Sequence, residues 1–499
     1  MCDDTCRPDR TGARSCRRSM TGWLAVVVGA ILIAPSAHAI NLVGANPGIR
    51  VPPPTIAPPR TPTINSVGPR FDPSFHRTPG GNGTVQGDGN NPGASTGGRH
   101  TGSRNTRQTQ TRRTSNNNAG VPPAGERRYI QDQVLFEVTG RASDARITAL
   151  LNRLRLTRIT TQRIALIDTT FYVARITDGG SVPAKIRGLN ASGLVRAQPN
   201  YLFELTQAGG VGADVAEAPD PSQYAPAKLH LDEAHNLTLG DNVLVAVIDS
   251  GIDTTHPALA GAVVKSFDAL HSSEGPHSHG TAIAGIIAGH GHLSGAAPSV
   301  HILAARAFST SQGSTISIIE SLDWAVTEHA RVVNMSFAGP PDPAFDRLLA
   351  AAHKKGVVLV AATGNGGPKS PPLWPAADPH VIGVTATDFD DHLFSMANRG
   401  HQVAIAAPGV DILVANPGNA YKMESGTSFS AAFVSGVAAL MIQRNPRLTP
   451  AALEKVLLAT ARDLGPKGRD EMFGAGLMDA FRAVGAVTPA TDAALQVQH

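Results

Sequence analysis

Three short segments of the 499-residue sequence carry side chains that together could perform nucleophilic catalysis. Asp249 ends an apolar run, His279 lies in a His-Gly-Thr segment, and Ser428 lies in a Gly-Thr-Ser segment. A serine hydroxyl is a weak nucleophile at neutral pH and needs a base within hydrogen-bonding distance, which a neutral imidazole provides. A carboxylate beside the other ring nitrogen orients the imidazole and stabilises its charged form. The three residues are therefore candidates for orienting carboxylate, general base and nucleophile.

Each of these residues, taken alone, has a simpler structural explanation. Asp249 could cap a turn, His279 could be a polar residue at the start of a helix, and Ser428 could cap the helix that follows it. The chain order Asp, His, Ser, with each residue at the end of a strand or the start of a helix, favours catalysis over these separate explanations.

The sequence resembles the subtilisin-like serine proteases, the subtilase family, in these three segments and in two more. The additional segments are Val333–Gly339 (Val-Asn-Met-Ser-Phe-Ala-Gly) and Ala361–Gly366 (Ala-Ala-Thr-Gly-Asn-Gly). The five motifs lie within residues 223–486. The resemblance implies a serine endopeptidase that hydrolyses peptide bonds through an acyl-enzyme intermediate.

The resemblance also implies roles for residues outside the Asp-His-Ser triad. Asn365, with the backbone N–H of Ser428, would form the oxyanion hole. An edge segment would bind the extended backbone of a protein or peptide substrate by strand addition, through Ser336, Phe337, Ala338 and Gly339. Two alternatives remain open: a peptide ligase or transpeptidase on the same scaffold, and a catalytically silent, surface-displayed binding protein. The presence of every triad residue weakens the second.

The chain departs from the family pattern in two places. Ala432 and Phe433 stand where the family usually has proline and histidine after the nucleophile, which affects fine specificity. The segment Gly289–Ser294 has no carboxylate where many relatives carry a calcium-binding loop, so we expect no metal and no other cofactor. Five nearby histidines could suggest a metal cluster: His271, His277, His279, His290 and His292. No cysteine completes such a cluster, and we expect the four other than His279 to be exposed histidines in loops.

Residues 223–486 alternate continuous apolar runs with helical segments. This pattern predicts an α/β domain with a mostly parallel sheet flanked by helices, and active sites of such sheets lie beyond the carboxyl ends of the strands. The predicted strands are Val243–Ile248, Val300–Ala305, Val332–Met335 and Val357–Ala362, and two of the predicted helices are Ser314–His329 and Phe345–Lys355.

Residues 126–207 show the element order βαββαβ, which predicts a small α+β ferredoxin-like domain. Its position and its last segment, Gln198–Leu205, resemble the inhibitory propeptide of the family. The resemblance implies an autoprocessed precursor in which this domain is an intramolecular inhibitor. Residues 208–222 would form a linker, with self-cleavage between Thr206 and Ser222, and residues 487–499 a tail.

The N-terminus combines a basic segment, an apolar stretch over residues 23–34 and the sequence Ala37-His38-Ala39. This arrangement predicts a signal peptide over residues 1–39, and the apolar stretch is too short for a membrane anchor, which needs about 20 residues. We therefore expect a secreted or cell-envelope protein, in the periplasm or at the cell surface. All three cysteines precede the apolar stretch and would be lost on cleavage.

Residues 40–125 are rich in proline, glycine and arginine, and this composition predicts a disordered spacer. Its positive charge makes the spacer a candidate for contact with the cell-envelope surface. The whole-chain net charge of +4 is unevenly distributed, because residues 126–207 carry +5 and residues 208–499 carry −10. A nucleic-acid-binding surface on the largest part of the chain is therefore not expected.

Overall fold

The computed structural model describes residues 118–140, 142–206, 223–272 and 274–490. The predicted signal peptide, most of the predicted spacer, the predicted linker and most of the predicted tail lie outside these ranges. Within the described ranges, no helix combines the length and apolar character that a bilayer crossing requires.

A small α+β domain comes first. Its four strands form an antiparallel sheet in the order β2-β3-β1-β4, with two helices against it, which is the predicted ferredoxin-like arrangement. The buried face of the first helix consists of Ile147, Leu150 and Leu151, at helical spacing. The elements are β1 (Tyr129–Val138), α1 (Asp144–Arg153), β2 (Leu156–Ile164), β3 (Thr169–Ile176), α2 (Val182–Asn190) and β4 (Val195–Leu205), with a 3₁₀ turn at Ala165–Ile167.

The larger domain contains twelve more strands and eight more helices among the described residues. Its strands are β5 (Leu244–Asp249), β6 (Val263–Asp268), β7 (His301–Arg306), β8 (Phe308–Ser309), β9 (Gln312–Ser314), β10 (Val332–Met335), β11 (Phe337–Ala338), β12 (Val358–Ala362), β13 (Val381–Thr387), β14 (Ile405–Pro408), β15 (Ile412–Asn416) and β16 (Ala420–Glu424). Its helices are α3 (Tyr224–Lys228), α4 (Leu231–His235), α5 (Ser278–Ala288), α6 (Thr315–Thr327), α7 (Pro343–Lys354), α8 (Thr427–Arg444), α9 (Pro450–Thr460) and α10 (Ala480–Ala486), and a 3₁₀ turn covers Pro257–Leu259.

Seven of these strands form one parallel sheet, in the order β14-β13-β12-β10-β5-β7-β6. Strand β5 lies inside it, and alternate residues of β5 enter two different apolar layers. Val245 and Val247 pack in the layer that holds α5 and α8, whereas Ala246 and Ile248 pack in the layer that holds α6 and α7. Burial on both faces explains why the run is continuously apolar, and it confirms the predicted α/β class.

The two domains share one apolar layer and one sheet. The cores of the small domain and of the α6–α7 layer form a single cluster of buried side chains. Strand β4 also leaves its own domain at its carboxyl end and pairs antiparallel with β9 on one side and β11 on the other. This pairing carries the end of the small domain to the edge of the sheet where β5 and β10 end.

Candidate active site

The three triad candidates meet at the carboxyl end of the parallel sheet. Asp249 is the last residue of β5, while His279 and Ser428 are each the second residue of a helix, α5 and α8. The side chain of His277 caps α5 by accepting a hydrogen bond from the backbone N–H of His279 at 3.3 Å. All three candidates are at most 1% exposed.

The distances join the three side chains in sequence. Nδ1 of His279 lies 2.8 and 2.9 Å from the two carboxylate oxygens of Asp249, and Nε2 of His279 lies 3.1 Å from Oγ of Ser428. Asp249 also accepts hydrogen bonds from the backbone N–H of Ser250 at 2.7 Å and from its hydroxyl at 3.0 Å. These donors help to fix the position of the carboxylate beside the imidazole. The arrangement is that of a base-activated serine nucleophile.

The carbonyl group of Thr206, directly after β4, lies against this serine. Its oxygen accepts a hydrogen bond from Nδ2 of Asn365 at 3.0 Å and another from the Ser428 hydroxyl. The orientation of the Asn365 amide is fixed on its other side, since Oδ1 accepts from the backbone N–H of Thr427 at 3.1 Å and from its hydroxyl at 2.9 Å. Asn365 is thus placed to donate to an oxygen on which negative charge develops.

The backbone of the preceding residues is held as an additional strand. Leu205 lies opposite Phe337, and Glu204 lies opposite both Ala338 and Gln312. The backbone N–H of Thr206 then donates to the carbonyl oxygen of Ser336 at 3.1 Å. The chain end therefore lies in the geometry of strand addition.

Ser336 and Gly339 have distinct places at the ends of this segment. The Ser336 hydroxyl donates to the carbonyl of Ser428 at 3.1 Å, which ties the edge segment to α8. Any side chain at Gly339 would collide with the ring of Phe203. That ring is fully buried and makes edge-to-face contacts with Phe337 and Phe345, at centroid distances of 5.9 and 5.8 Å. All four residues predicted to bind substrate thus line the groove that β4 occupies.

Further contacts between the domains were not predicted from the sequence. Asp323 on α6 accepts hydrogen bonds from the backbone N–H groups of Ala165 and Leu166, at 3.1 and 2.7 Å. Gln198 donates to the buried carboxylate of Asp342, the N-cap of α7, at 2.6 Å. Burial raises the pKa of the Asp342 carboxyl. No motif marks these residues, because their partners lie more than a hundred positions away in the sequence.

His277 is half-buried, in contrast to the exposed loop histidine that was expected at this position. Its Nδ1 lies 3.2 Å from the hydroxyl of Ser250 and also caps α5. Burial lowers its pKa, against the opposing effect of Asp249. A polar residue directly before the helix start was the available signal for this capping role.

The side chain of Gln223 bridges the segment Gly289–Ser294, where the resemblance raised the question of a calcium-binding loop. The side-chain amide of Gln223 uses both of its ends here, donating to the carbonyl of His292 at 2.8 Å and accepting from the backbone N–H of Ser294 at 2.9 Å. The segment from Gly289 to Ser294 supplies no carboxylate, although calcium favours several oxygen ligands including carboxylates. Across the described ranges, no group of three or more His, Cys, Asp or Glu side chains is placed to hold a metal.

Comparison with known proteins identifies the family. The model of the subtilase family (Peptidase_S8) matches residues 240–476. A thermophilic serine proteinase of Bacillus sp. (strain AK1) is 36% identical over 291 residues, which cover 55% of this chain and 69% of that protein. M-protease of Shouchella clausii (strain KSM-K16) is 34% identical over 278 residues, covering 54% and 72% of the two chains.

A solved structure shows the same fold. Fervidolysin from Fervidobacterium pennivorans superposes with a TM-score of 0.63 at 24% identity, over 74% of this chain and 63% of that one. This likeness supports the architecture, and the sequence relatives support the activity. The chain belongs to the subtilase family and is a serine endopeptidase with a subtilisin-like fold, as its motifs predicted.

Proposed function

We propose that this chain is the precursor of a secreted endopeptidase that cleaves itself after Thr206 and then cleaves other proteins with the same site. One observation carries the proposal: the Thr206 carbonyl lies between the hydroxyl of Ser428 and the amide of Asn365, at the end of a strand bound in the groove. A peptide bond held in this way is positioned as a substrate.

The proposed chemistry follows from the triad geometry. Oγ of Ser428 bonds to the Thr206 carbonyl carbon while His279 takes the hydroxyl proton at Nε2, and Asp249 stabilises the imidazolium. The C–N bond to Gln207 then breaks as His279 returns the proton to the leaving amine. Water, activated by the same imidazole, hydrolyses the ester and regenerates the serine.

The small domain would remain as an inhibitor after cleavage. Its strand fills the groove. The hydrogen bonds to Asp323 and Asp342 anchor the rest of the small domain to the larger domain at positions outside the groove. Protein substrates would bind in the same extended form, with a preference for an aromatic residue at the place of Phe203. We also propose export through the N-terminal signal and a fold that needs no calcium, on the grounds of the leader sequence and of the Gln223 contacts.

The test is to express the full chain and its Ser428→Ala variant and to sequence the new N-termini. We expect the wild type to yield a fragment that begins at Gln207 and the variant to remain uncut at that bond. Labelling of the processed enzyme by a fluorophosphonate should also be lost in the variant. Cleavage at the same bond in Ser428→Ala would refute self-processing, and failure of the folded, processed wild type to label would refute the assigned nucleophile.

A further inference from the structure

The side chain of Thr206 lies against the nucleophile as closely as its carbonyl does. Its Oγ1 is 2.6 Å from Oγ of Ser428 and 3.2 Å from the carbonyl oxygen of Ser336. Both hydroxyls are buried, with Thr206 6% exposed and Ser428 fully covered. Water therefore does not compete for these hydrogen bonds, and the two hydroxyl protons must be shared among the protein groups around them.

Both directions of the short contact between the two hydroxyls oppose attack. If Thr206 donates to the Ser336 carbonyl, the short contact between the hydroxyls is bridged by the single proton of Ser428, which is then donated neither to Nε2 of His279 nor to the Thr206 carbonyl. If Thr206 donates to Ser428 instead, it occupies a lone pair of the oxygen that must attack. In both cases the contact stabilises the ground state more than the transition state, and such stabilisation slows the reaction.

The position of the hydroxyl is set by the backbone. The Thr206 N–H donates to the Ser336 carbonyl at 3.1 Å, which fixes the residue in the groove. A β-branched side chain has few χ1 rotamers, so Oγ1 has little freedom to turn away. When the Thr206 hydroxyl is removed, the Ser336 carbonyl still accepts a hydrogen bond from the Thr206 N–H. A hydroxyl-free variant therefore leaves this buried acceptor with a hydrogen bond.

We propose that the Thr206 hydroxyl delays the chain's own cleavage by engaging Ser428. This inference rests on the proposed self-cleavage after Thr206. It assigns to the residue before the scissile bond a second role besides that of substrate, namely that of a brake on the nucleophile. The same contact would also help retain the small domain after cleavage, when Thr206 becomes its last residue.

The test compares full-length precursors that differ only at position 206. Thr206→Val keeps the shape and removes the hydroxyl, whereas Thr206→Ser keeps the hydroxyl and removes the methyl group. The measurement is the first-order rate at which the fragment beginning at Gln207 appears after refolding. We expect Thr206→Val to be cut about fivefold faster than the wild type, as for the loss of one ordinary hydrogen bond. Thr206→Ser keeps the hydroxyl but loses the β-branch that restricts it, so it should be cut more slowly than Thr206→Val.

A second hydroxyl-free variant, Thr206→Ala, must also be cut faster, so that a folding defect of one variant does not decide the outcome. Folding of each precursor is checked by resistance to trypsin in a Ser428→Ala background. Equal or slower cleavage of the folded valine and alanine variants would overturn this inference and leave self-cleavage intact. Absence of cleavage after residue 206 in every chain, the wild type included, would overturn the proposed self-cleavage and this inference with it.

Discussion

Replacing Asn365 by alanine should slow peptide-bond cleavage by about 100- to 1000-fold in a protein that still folds. The Nδ2 group of Asn365 donates to the Thr206 carbonyl over 3.0 Å. This oxygen becomes negatively charged when Ser428 attacks, and a fixed donor is then worth more than it is to the neutral carbonyl. Loss of one such donor costs about 3 to 4 kcal/mol of transition-state stabilisation, a magnitude established for the oxyanion donor of subtilisin.

The cost to folding should be much smaller. Asn365 is half-buried, and its Oδ1 accepts from the backbone N–H and the hydroxyl of Thr427. Removing these neutral hydrogen bonds should lower the free energy of unfolding by about 1 to 2 kcal/mol. A loss of activity beyond tenfold therefore cannot be attributed to unfolded protein.

The assay follows self-cleavage of the full chain and, after processing, kcat on a peptide substrate. Thr427→Val is the matched comparison, because it removes an anchor of the Asn365 amide and keeps the Nδ2 donor, and we expect a loss below about tenfold. The double variant should lose less than the product of the two single losses, since the Thr427 hydroxyl acts in part through that amide and in part through the Gly364 N–H, from which it accepts. A loss below tenfold for folded Asn365→Ala, or additive losses in the double variant, would refute the oxyanion assignment.

Three further outcomes follow from contacts of the larger domain. Asp323→Asn should release the cleaved small domain about tenfold faster, because a charged acceptor of two backbone N–H groups becomes neutral. The release rate is measured from the time course over which proteolytic activity emerges, and an unchanged time course would contradict the prediction. Burial raises the pKa of Glu320 to about 7, so the native state favours the protonated carboxyl and loses stability as the pH rises from about 4.5 to 7. Glu320→Gln should thus raise the Tm of the precursor at pH 8 by at least about 3 °C and leave it nearly unchanged at pH 4.5. Equal Tm shifts at the two pH values would refute the raised pKa of Glu320 as the cause. Dialysis against EDTA should leave the Tm of the processed enzyme within about 1 °C of its value before dialysis. Gln223→Ala should lower the Tm by several degrees, because it removes the bridge across Gly289–Ser294. A Tm that falls on chelation would contradict a fold that needs no calcium.

The sequence predicted the central strands closely because both faces of each are buried. The run predicted at Val332–Met335 is the observed β10, and the run predicted at Val357–Ala362 begins one residue later as β12. The three triad residues could be predicted from the sequence for a related reason. The nucleophile, base and carboxylate each lie in a motif at the end of a strand or the start of a helix, and the parallel topology gathers such ends at one edge.

Contacts between the domains escaped prediction because they depend on pairing at long range. Strand β4 begins at Val195, where polar residues and Pro199 interrupt the apolar pattern, well before the apolar run at its carboxyl end. The apolar segment Ala165–Ile167 directly follows β2 and forms a 3₁₀ turn, and the backbone N–H groups of its first two residues bond to Asp323. Neither feature has a local signal, because the first is determined by pairing with β1 and the second by Asp323 on α6.

The groove that β4 occupies is bordered by two separate edges, β9 and β11, each of which pairs with the inserted chain. A polypeptide that replaces β4 must therefore offer main-chain groups to β9 over the stretch equivalent to Leu202–Glu204 and to β11, on its other side, over the stretch equivalent to Glu204–Leu205. A strand within a native sheet already has neighbours, and a helix has its groups bonded internally. The geometry would thus favour segments that can leave their own fold, and we expect local unfolding of a target to contribute to which of its bonds are cut.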